Sequence, residues 1–215
     1  MSAGKQPGKG RASRESAQAT PESPPKTTPD TRRLKAGTEL YRIHLPEYSA
    51  LWFGPGVGNP PRYRFDAPEG EYGALYVAQS PAGAFAEVFL REPRRITRII
   101  TTAELEDRVM SRILVRKPLV LAKLRGPGLS WRGVTAEVSS SEESGYQAAR
   151  KVALEVFRDP RALDGIEYRS RHDDDELACV LFDRARASIE LDQDLQYPCL
   201  ELARDLLPRY PISIS

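Results

Sequence analysis

The chain has 215 residues, a mass of 24.0 kDa, a formal net charge of +2 and 40% hydrophobic residues, which favours one domain, or one domain plus an appendage. Its apolar runs are too short to cross a bilayer, and its first thirty residues contain no apolar signal segment. Two cysteines and two histidines argue against a disulfide framework and against a histidine-rich metal site. We therefore expect a cytoplasmic protein with no membrane segment and no metal.

Residues 1–33 differ in composition from the rest of the chain. Between Ser2 and Arg33 there is no Val, Ile, Leu, Phe, Tyr or Trp, so this segment is predicted to be a disordered tail rich in Pro, Ser and Gly. It contains seven basic and three acidic residues, whereas the remainder has a net charge of −2. Because the basic charge lies in the tail, we expect no direct binding of nucleic acid by the domain, which is predicted to span 34–215.

The remaining sequence alternates between strand and helix patterns. Ser80 and Pro81 predict a helix start, because serine caps free amide groups and proline suits the first helical position; this helix continues through Phe89. A capping box at 101–104 and apolar spacings near 149–156 and 200–207 predict three more helices. Strands are predicted over 39–43, 74–78, 119–124, 165–168 and 178–182. This order predicts an α/β fold class with a mixed sheet.

Common catalytic and nucleotide-binding signatures are absent from the sequence. There is no Walker loop, the glycines at 54–58 lack dinucleotide-binding spacing, and two histidines offer little for a catalytic triad. What remains is a set of polar residues within or directly after apolar elements. Each also has an ordinary structural interpretation, such as a surface arginine or a core tyrosine. The set is Arg42, Arg64, Tyr76, Glu87 and Ser170.

Taken in order, these segments resemble the RES family, which is named for a recurring Arg, Glu and Ser. The resemblance extends over about 34–187, and its segments are 40–43, 64–66, 75–78, 84–88, 164–171 and 180–182. It implies an ADP-ribosyltransferase-like fold and a toxin of a bacterial toxin–antitoxin pair. Such toxins deplete NAD⁺ by phosphorolysis or hydrolysis, and some members instead modify a protein. The implied partner is a helix-turn-helix antitoxin of the Xre type, which covers the site.

The resemblance also assigns roles to the candidate residues. Glu87 is the expected catalytic carboxylate, because cleavage of the nicotinamide–ribose bond passes through an oxocarbenium-like state that a negative charge stabilises. Arg42 and Arg64 suit the pyrophosphate, since guanidinium groups match phosphate oxygens. Tyr76 offers a ring for stacking on nicotinamide and a hydroxyl for orientation.

Two serines are candidates for a hydrogen bond to the ribose. Ser170 follows a predicted strand, and Ser144 lies in a second segment that approaches the site in relatives. We rank Ser144 below Ser170, and the sequence does not decide between them.

Three functions remain open at this stage. In the first, NAD⁺ is a substrate, no cofactor is bound permanently, and inorganic phosphate or water is the acceptor. In the second, the same residues transfer ADP-ribose to a protein. In the third, the chain is a non-catalytic binding module that kept the fold. A homodimer is the commonest assembly of soluble homo-oligomers, but the sequence does not determine the oligomeric state.

Overall fold

The computed structural model describes Met1 and residues 28–91, 98–142 and 145–215. The strands are β1 (Thr31–Leu34), β2 (Glu39–His44), β3 (Ala74–Ala78), β4 (Arg98–Ile100), β5 (Val109–Val115), β6 (Leu119–Leu124), β7 (Gly165–Arg169), β8 (Leu177–Phe182), β9 (Ile189–Pro198) and β10 (Ile212–Ile214). The helices are α1 (Pro81–Phe89), α2 (Thr102–Glu106), α3 (Pro127–Trp131), α4 (Glu137–Ser140), α5 (Tyr146–Phe157), α6 (Cys199–Leu206) and a 3-10 helix over Asp183–Ser188.

Eight strands form one sheet in the order β1-β6-β7-β8-β3-β2-β5-β9. All neighbouring strands of this sheet are antiparallel except β6 and β7. That parallel pair is joined by the segment containing α3, α4 and α5, as a parallel connection requires. Strands β4 and β10 form a separate parallel pair. The predicted α/β class with a mixed sheet is confirmed.

The helix starts predicted from the sequence are confirmed by their capping contacts. The hydroxyl of Ser80 accepts a hydrogen bond from the Gly83 amide at 2.9 Å, with Pro81 at the start of α1. Thr101 and Glu104 form both halves of the capping box of α2. All five predicted strands and the other two predicted helices are present, with ends displaced by one residue in β2, β7, β8 and α6, whereas α5 begins three residues before the predicted 149–156.

Several short or polar elements were not predicted from the sequence. Strand β5 contains Ser111 and Arg112, and β9 carries several charged or amide residues, so neither gives a clean apolar alternation. Strand β5 forms because it pairs with β2 on one side and with β9 on the other, and β9 forms by its pairing with β5. Strands β4 and β10 have three residues each, too few for a periodic signal.

The folded part of the chain starts before the predicted boundary at 34. Strand β1 begins at Thr31 and pairs with β6, so residues 28–33 do not belong to a disordered tail; residues 2–27 lie outside the described residues. The Asp30 carboxylate lies 2.9 Å from Arg132 Nη2 and 2.9 Å from Arg161 Nη2. Residues 28–33 are held by the pairing of β1 with β6 and by these ion pairs. Because they lack large apolar side chains, a prediction from hydrophobicity does not detect them.

The described residues form three clusters of buried apolar side chains. One lies between α5 and the face of the sheet that includes Tyr168 and Val180, and a second covers the opposite face, including Leu75 and Leu181. The third surrounds α1 and α6 and includes Phe85 and Phe89. Within the described part of the chain, no helix combines the length and apolarity needed to cross a membrane.

The Asp30 ion pairs predict a stability that depends on pH. The arginines lower the pKa of Asp30, so its stabilising contribution is present above the unfolded-state pKa of about 4 and is lost as the pH falls below that value. We expect Asp30→Asn to reduce the free energy of unfolding by about 2 kcal/mol at pH 7, because Arg132 and Arg161 each lose one of their two carboxylate partners and keep only Asp159. Urea titrations at pH 7 and pH 3 measure this difference, which should shrink at pH 3.

Asp205→Asn on the exposed side of α6 is the matched control and should be nearly neutral at both pH values. An equal loss of stability at pH 7 and pH 3 in Asp30→Asn would contradict an ionic contribution from this carboxylate.

Candidate active site

A cavity of about 660 Å³ opens between the sheet, α1 and the start of α5. Its floor is formed by β2, β3 and Tyr168 of β7, and one wall is formed by α1. A volume of this size falls in the range of ligand-binding pockets. The lining residues are Tyr41, Arg42, Ile43, Trp52, Gly54, Tyr63, Arg64, Ala74, Tyr76, Val77, Ala78, Ala84, Glu87, Val88, Arg91, Glu142, Tyr146, Tyr168, Arg171 and His172.

Glu87 lies on the face of α1 that lines the cavity. Residues Ala84, Val88 and Arg91 share this face at helical spacing, whereas Phe85 is buried in the third apolar cluster. The Oε1 atom of Glu87 is buried and has no hydrogen-bond partner. The proximity of this carboxylate adds to the effect of burial in raising the pKa of the Tyr168 phenol. Glu87 therefore offers a negative charge that the protein itself leaves unpaired at one oxygen.

Arg64 is 7% exposed and lines the cavity. Its Nη2 donates to the carbonyl of Ser141 at 3.3 Å, and its guanidinium lies over the Tyr146 ring at 5.4 Å from the centroid. Its Nε atom is buried without a partner. A buried guanidinium with an unused donor is a ready contact for an anionic ligand group.

Tyr76 is fixed by its hydroxyl. The phenol donates to Asp66 Oδ1 at 2.9 Å and accepts from the Phe65 amide at 2.9 Å; burial and the Asp66 charge raise its pKa well above the ordinary value. Both contacts of this hydroxyl are internal, and its expected orienting role toward a ligand stays a prediction. Its ring lines the cavity and meets the Tyr63 ring edge-on at 5.5 Å, so a stacking surface remains.

Arg42 points from β2 into the cavity wall and is partly used by the protein. Its Nη1 donates to the carbonyls of Ala50 and Trp52, both at 3.0 Å. Burial lowers its pKa to about 10, which leaves it charged at neutral pH. The side chain thus anchors the loop at 50–52 while it adds positive charge to the cavity.

Of the two candidate serines, the structure describes only Ser170. Ser170 is 2% exposed and is not among the residues that line the cavity; its hydroxyl accepts from the His172 amide at 3.2 Å. It therefore organises the turn after β7 in this structure. Ser144 lies outside the described residues, so its position relative to the cavity is not defined.

Two cavity residues adjacent to Ser170 were missed from the sequence. Arg171 Nη1 donates to the Ser141 carbonyl at 3.0 Å, the same atom that Arg64 contacts. His172 Nδ1 is buried without a partner, and burial together with nearby arginines lowers the pKa of His172 to about 4. The available signal was their place directly after a buried strand, where side chains of a sheet edge often enter a site.

The cavity combines several cations with an unpaired carboxylate oxygen. Arg42, Arg64, Arg91 and Arg171 line it, and the acidic lining residues are Glu87 and Glu142. Burying a donor or acceptor without a partner costs free energy, and native proteins rarely tolerate it without a reason. Among the described residues, unpaired buried atoms of Arg64, Glu87 and His172 meet in this one cavity. The arrangement suits a ligand with both an anionic part and an electron-poor part.

Fold and cavity together define a mixed α/β protein with an arginine-lined cavity over inner strands of its large sheet. The family model described as RES domain matches residues 39–200, which is more than half of the chain. The chain belongs to the RES domain family.

A solved structure supports the fold assignment. The chain is similar to a chain in the crystal structure of the M. tuberculosis MbcT–MbcA toxin–antitoxin complex, with a TM-score of 0.56 and 18% sequence identity. The similarity covers 80% of this chain and 90% of that chain. No curated protein sequence matches the chain.

The hydrogen bonds of Tyr76 predict a mainly structural role for its hydroxyl. We expect Tyr76→Phe to lower the free energy of unfolding by about 2 kcal/mol, because the buried Phe65 amide and Asp66 Oδ1 each lose a partner. Urea denaturation measures the change. Tyr48→Phe, at a position that is 56% exposed, is the matched control and should change stability by less than about 0.5 kcal/mol. Equal stabilities of the two variants would contradict the assignment.

Proposed function

We propose that the chain cleaves NAD⁺ at the bond between nicotinamide and ribose. The observation that carries this proposal is the cavity in which the unpaired Glu87 oxygen faces unpaired guanidinium and imidazole nitrogens. Membership of the RES family supports the same substrate. NAD⁺ matches the cavity's chemistry, because it joins an anionic pyrophosphate to a ribose that becomes electron-poor during cleavage.

Each part of the cavity has a role in this reaction. We assign Arg64 and Arg171 to the pyrophosphate oxygens. Both donate to the Ser141 carbonyl, so their guanidinium groups lie close enough together to bind one anionic group. The Tyr76 ring is available for stacking on nicotinamide. When the C–N bond breaks, its electron pair stays on the pyridine nitrogen and neutral nicotinamide leaves. Glu87 then stabilises the positive charge that develops on the ribose.

The acceptor completes the reaction with a new C–O bond at the same ribose carbon. Water as acceptor gives ADP-ribose and releases one proton, whereas hydrogen phosphate as acceptor gives an ADP-ribose phosphate ester. The cluster of Arg64, Arg171 and Arg91 favours an anionic acceptor, because positive charge attracts phosphate and offers nothing comparable to neutral water.

We further propose that the chain is the toxin of a toxin–antitoxin pair and that its partner is a helix-turn-helix antitoxin of the Xre type. The similarity to a chain of a toxin–antitoxin complex supports a covering partner. Large apolar side chains are also exposed in the loop beside the cavity: Tyr48 is 56%, Trp52 44% and Val57 83% exposed. Trp52 also lines the cavity, so a protein that covers this rim would close the entrance.

The proposed role of Glu87 predicts a large and selective loss of activity in Glu87→Gln. The variant keeps the shape of the side chain but removes the negative charge, so we expect kcat for nicotinamide release to fall about 100-fold or more. Release of nicotinamide from NAD⁺ is measured by chromatography, with circular dichroism as the check on folding. Glu155→Gln on the exposed face of α5 is the matched control and should retain full activity. Wild-type turnover by folded Glu87→Gln would remove this residue from the mechanism.

The acceptor is identified by separating the products formed with and without phosphate. We expect phosphate to raise the rate and to divert the product to an ADP-ribose phosphate ester. Free ADP-ribose at an unchanged rate would identify water as the acceptor. Radiolabel retained on a protein band after incubation with labelled NAD⁺ and lysate would instead show transfer to a protein. The absence of NAD⁺ binding by calorimetry would favour a non-catalytic module.

A further inference from the structure

The turn at 170–176 brings Arg171 and His172 to the cavity. It is closed at its base by a hydrogen bond from the Ser170 amide to the Glu176 carbonyl at 2.9 Å, and within the turn the Glu176 amide donates to the Asp173 carbonyl at 3.0 Å. The two cavity residues lie between these closures. The position of the whole turn therefore sets where the two side chains lie relative to Glu87 on the opposite wall.

The segment after α6 holds this turn from outside. Arg209 Nη2 lies 2.8 Å from Asp173 Oδ2 and 2.7 Å from Glu176 Oε1, and the Tyr210 hydroxyl donates to Asp173 Oδ2 at 2.7 Å. Both carboxylate side chains are only 11% exposed. Carboxylates buried to this extent need a charged or hydrogen-bonding partner. Arg209 and Tyr210, together called the C-terminal clamp, supply it.

Glu176 and the C-terminal clamp also contact α1, the helix that carries Glu87. The second carboxylate oxygen of Glu176 accepts a short hydrogen bond from Ser80, the residue that caps the start of α1. The Tyr210 ring lies parallel to the Phe85 ring of α1, with centroids 6.2 Å apart and an interplanar angle of 10°. The clamp thus contacts both walls of the cavity without lining it.

The clamp is fixed to the body of the protein on its other side. Strand β10 follows it directly and pairs with β4, and the Ser215 amide donates to the Ile100 carbonyl at 3.1 Å. Residues 201–215 lie beyond the part of the chain that the family model matches. The clamp therefore comes from a part of this chain that the family pattern does not include.

We propose that Arg209 and Tyr210 are positioning residues of the active site, which hold Asp173 and Glu176 so that Arg171 and His172 stay in the cavity opposite Glu87. Release of the clamp would free the turn to move into solvent. The effect on NAD⁺ turnover rests on the proposed function, whereas the effect on the position of His172 does not.

His172 reports the position of the turn directly. Burial and the surrounding arginines lower its pKa to about 4, so the imidazole stays neutral from pH 5 to pH 8 while the turn is closed. A turn released into solvent would bring the pKa back toward the ordinary value of about 6.5. The charged groups around the imidazole and on its turn are Arg64, Arg91, Arg98, Arg171, Glu87, Glu142, Asp173, Asp174, Asp175 and Glu176.

The decisive experiment is an NMR titration of the histidine ring signals from pH 5 to pH 8. The chain has two histidines, and loss of one signal in His172→Gln assigns the other to His44. We expect the His172 signal to stay constant in the wild type and in the control Arg204→Ala, which removes an exposed arginine of α6. In Arg209→Ala the same signal should titrate with a midpoint at least one pH unit higher than in the wild type.

Two further variants separate positioning from general stability. Arg209→Lys should restore most of the wild-type behaviour, because it keeps a positive charge near both carboxylates. Tyr210→Phe keeps the ring packed on Phe85 but loses the hydrogen bond to Asp173, and it provides the test if Arg209→Ala does not fold. A flat His172 signal in both folded clamp variants would overturn the proposal, as would a wild-type His172 that titrates near pH 6.5.

Kinetics supply the second measurement. Loss of the clamp should raise KM for NAD⁺ about tenfold, the effect of one lost charged hydrogen bond, and change kcat less. An unchanged KM in Arg209→Ala, with a wild type that turns over NAD⁺, counts against the clamp. If the wild type does not cleave NAD⁺, the proposed function fails and the NMR titration alone decides the positioning role.

Discussion

The buried Asp66 carboxylate is the contact on which the site depends. It is fully buried and accepts hydrogen bonds from the Tyr76 hydroxyl on one oxygen and from the amides of Arg62 and Tyr63 on the other. A carboxylate buried in this way is tolerated only when its oxygens are satisfied. It ties the loop that carries Arg64 to the central strand β3, so the position of that arginine follows from the sheet rather than from the loop's own conformation.

Stable internal pairing at Asp66 allows unpaired groups elsewhere in the cavity. Arg64, Glu87 and His172 each keep one buried polar atom without a partner, which costs stability and prepares those atoms for a ligand. Glu87 is presented by a helix, Arg64 by a loop tied to β3, and His172 by a turn held at its base and from outside. The site therefore rests on three elements that are each fixed by contacts outside the cavity.

The internal hydrogen bonds of each polar residue indicate whether it supports the structure or is available to a ligand. The hydroxyl of Tyr76 and the Nη1 donor of Arg42 bind other parts of the protein, so these two residues mainly shape the cavity, whereas the hydroxyl of Ser170 organises the turn after β7. Arg64 and Glu87 keep unused atoms, and Arg171 and His172 join them from the turn after β7. A residue type that suits a ligand is thus a weaker guide to its role than the count of hydrogen bonds it has already made.

Local rules in the sequence determined the class of fold, the apolar strands and the capped helix starts. Each of these depends on residues within one or two turns of one another, and short-range periodicity and capping chemistry report them. The tertiary structure decided the rest. Strand β1 forms because it pairs with β6 and because Asp30 binds two arginines. These partners lie about a hundred residues away in the chain, so the composition of the segment itself indicated a tail. Likewise, the Tyr76 hydroxyl turned inward and His172 entered the cavity because of contacts between segments far apart in the chain, which a linear pattern does not contain.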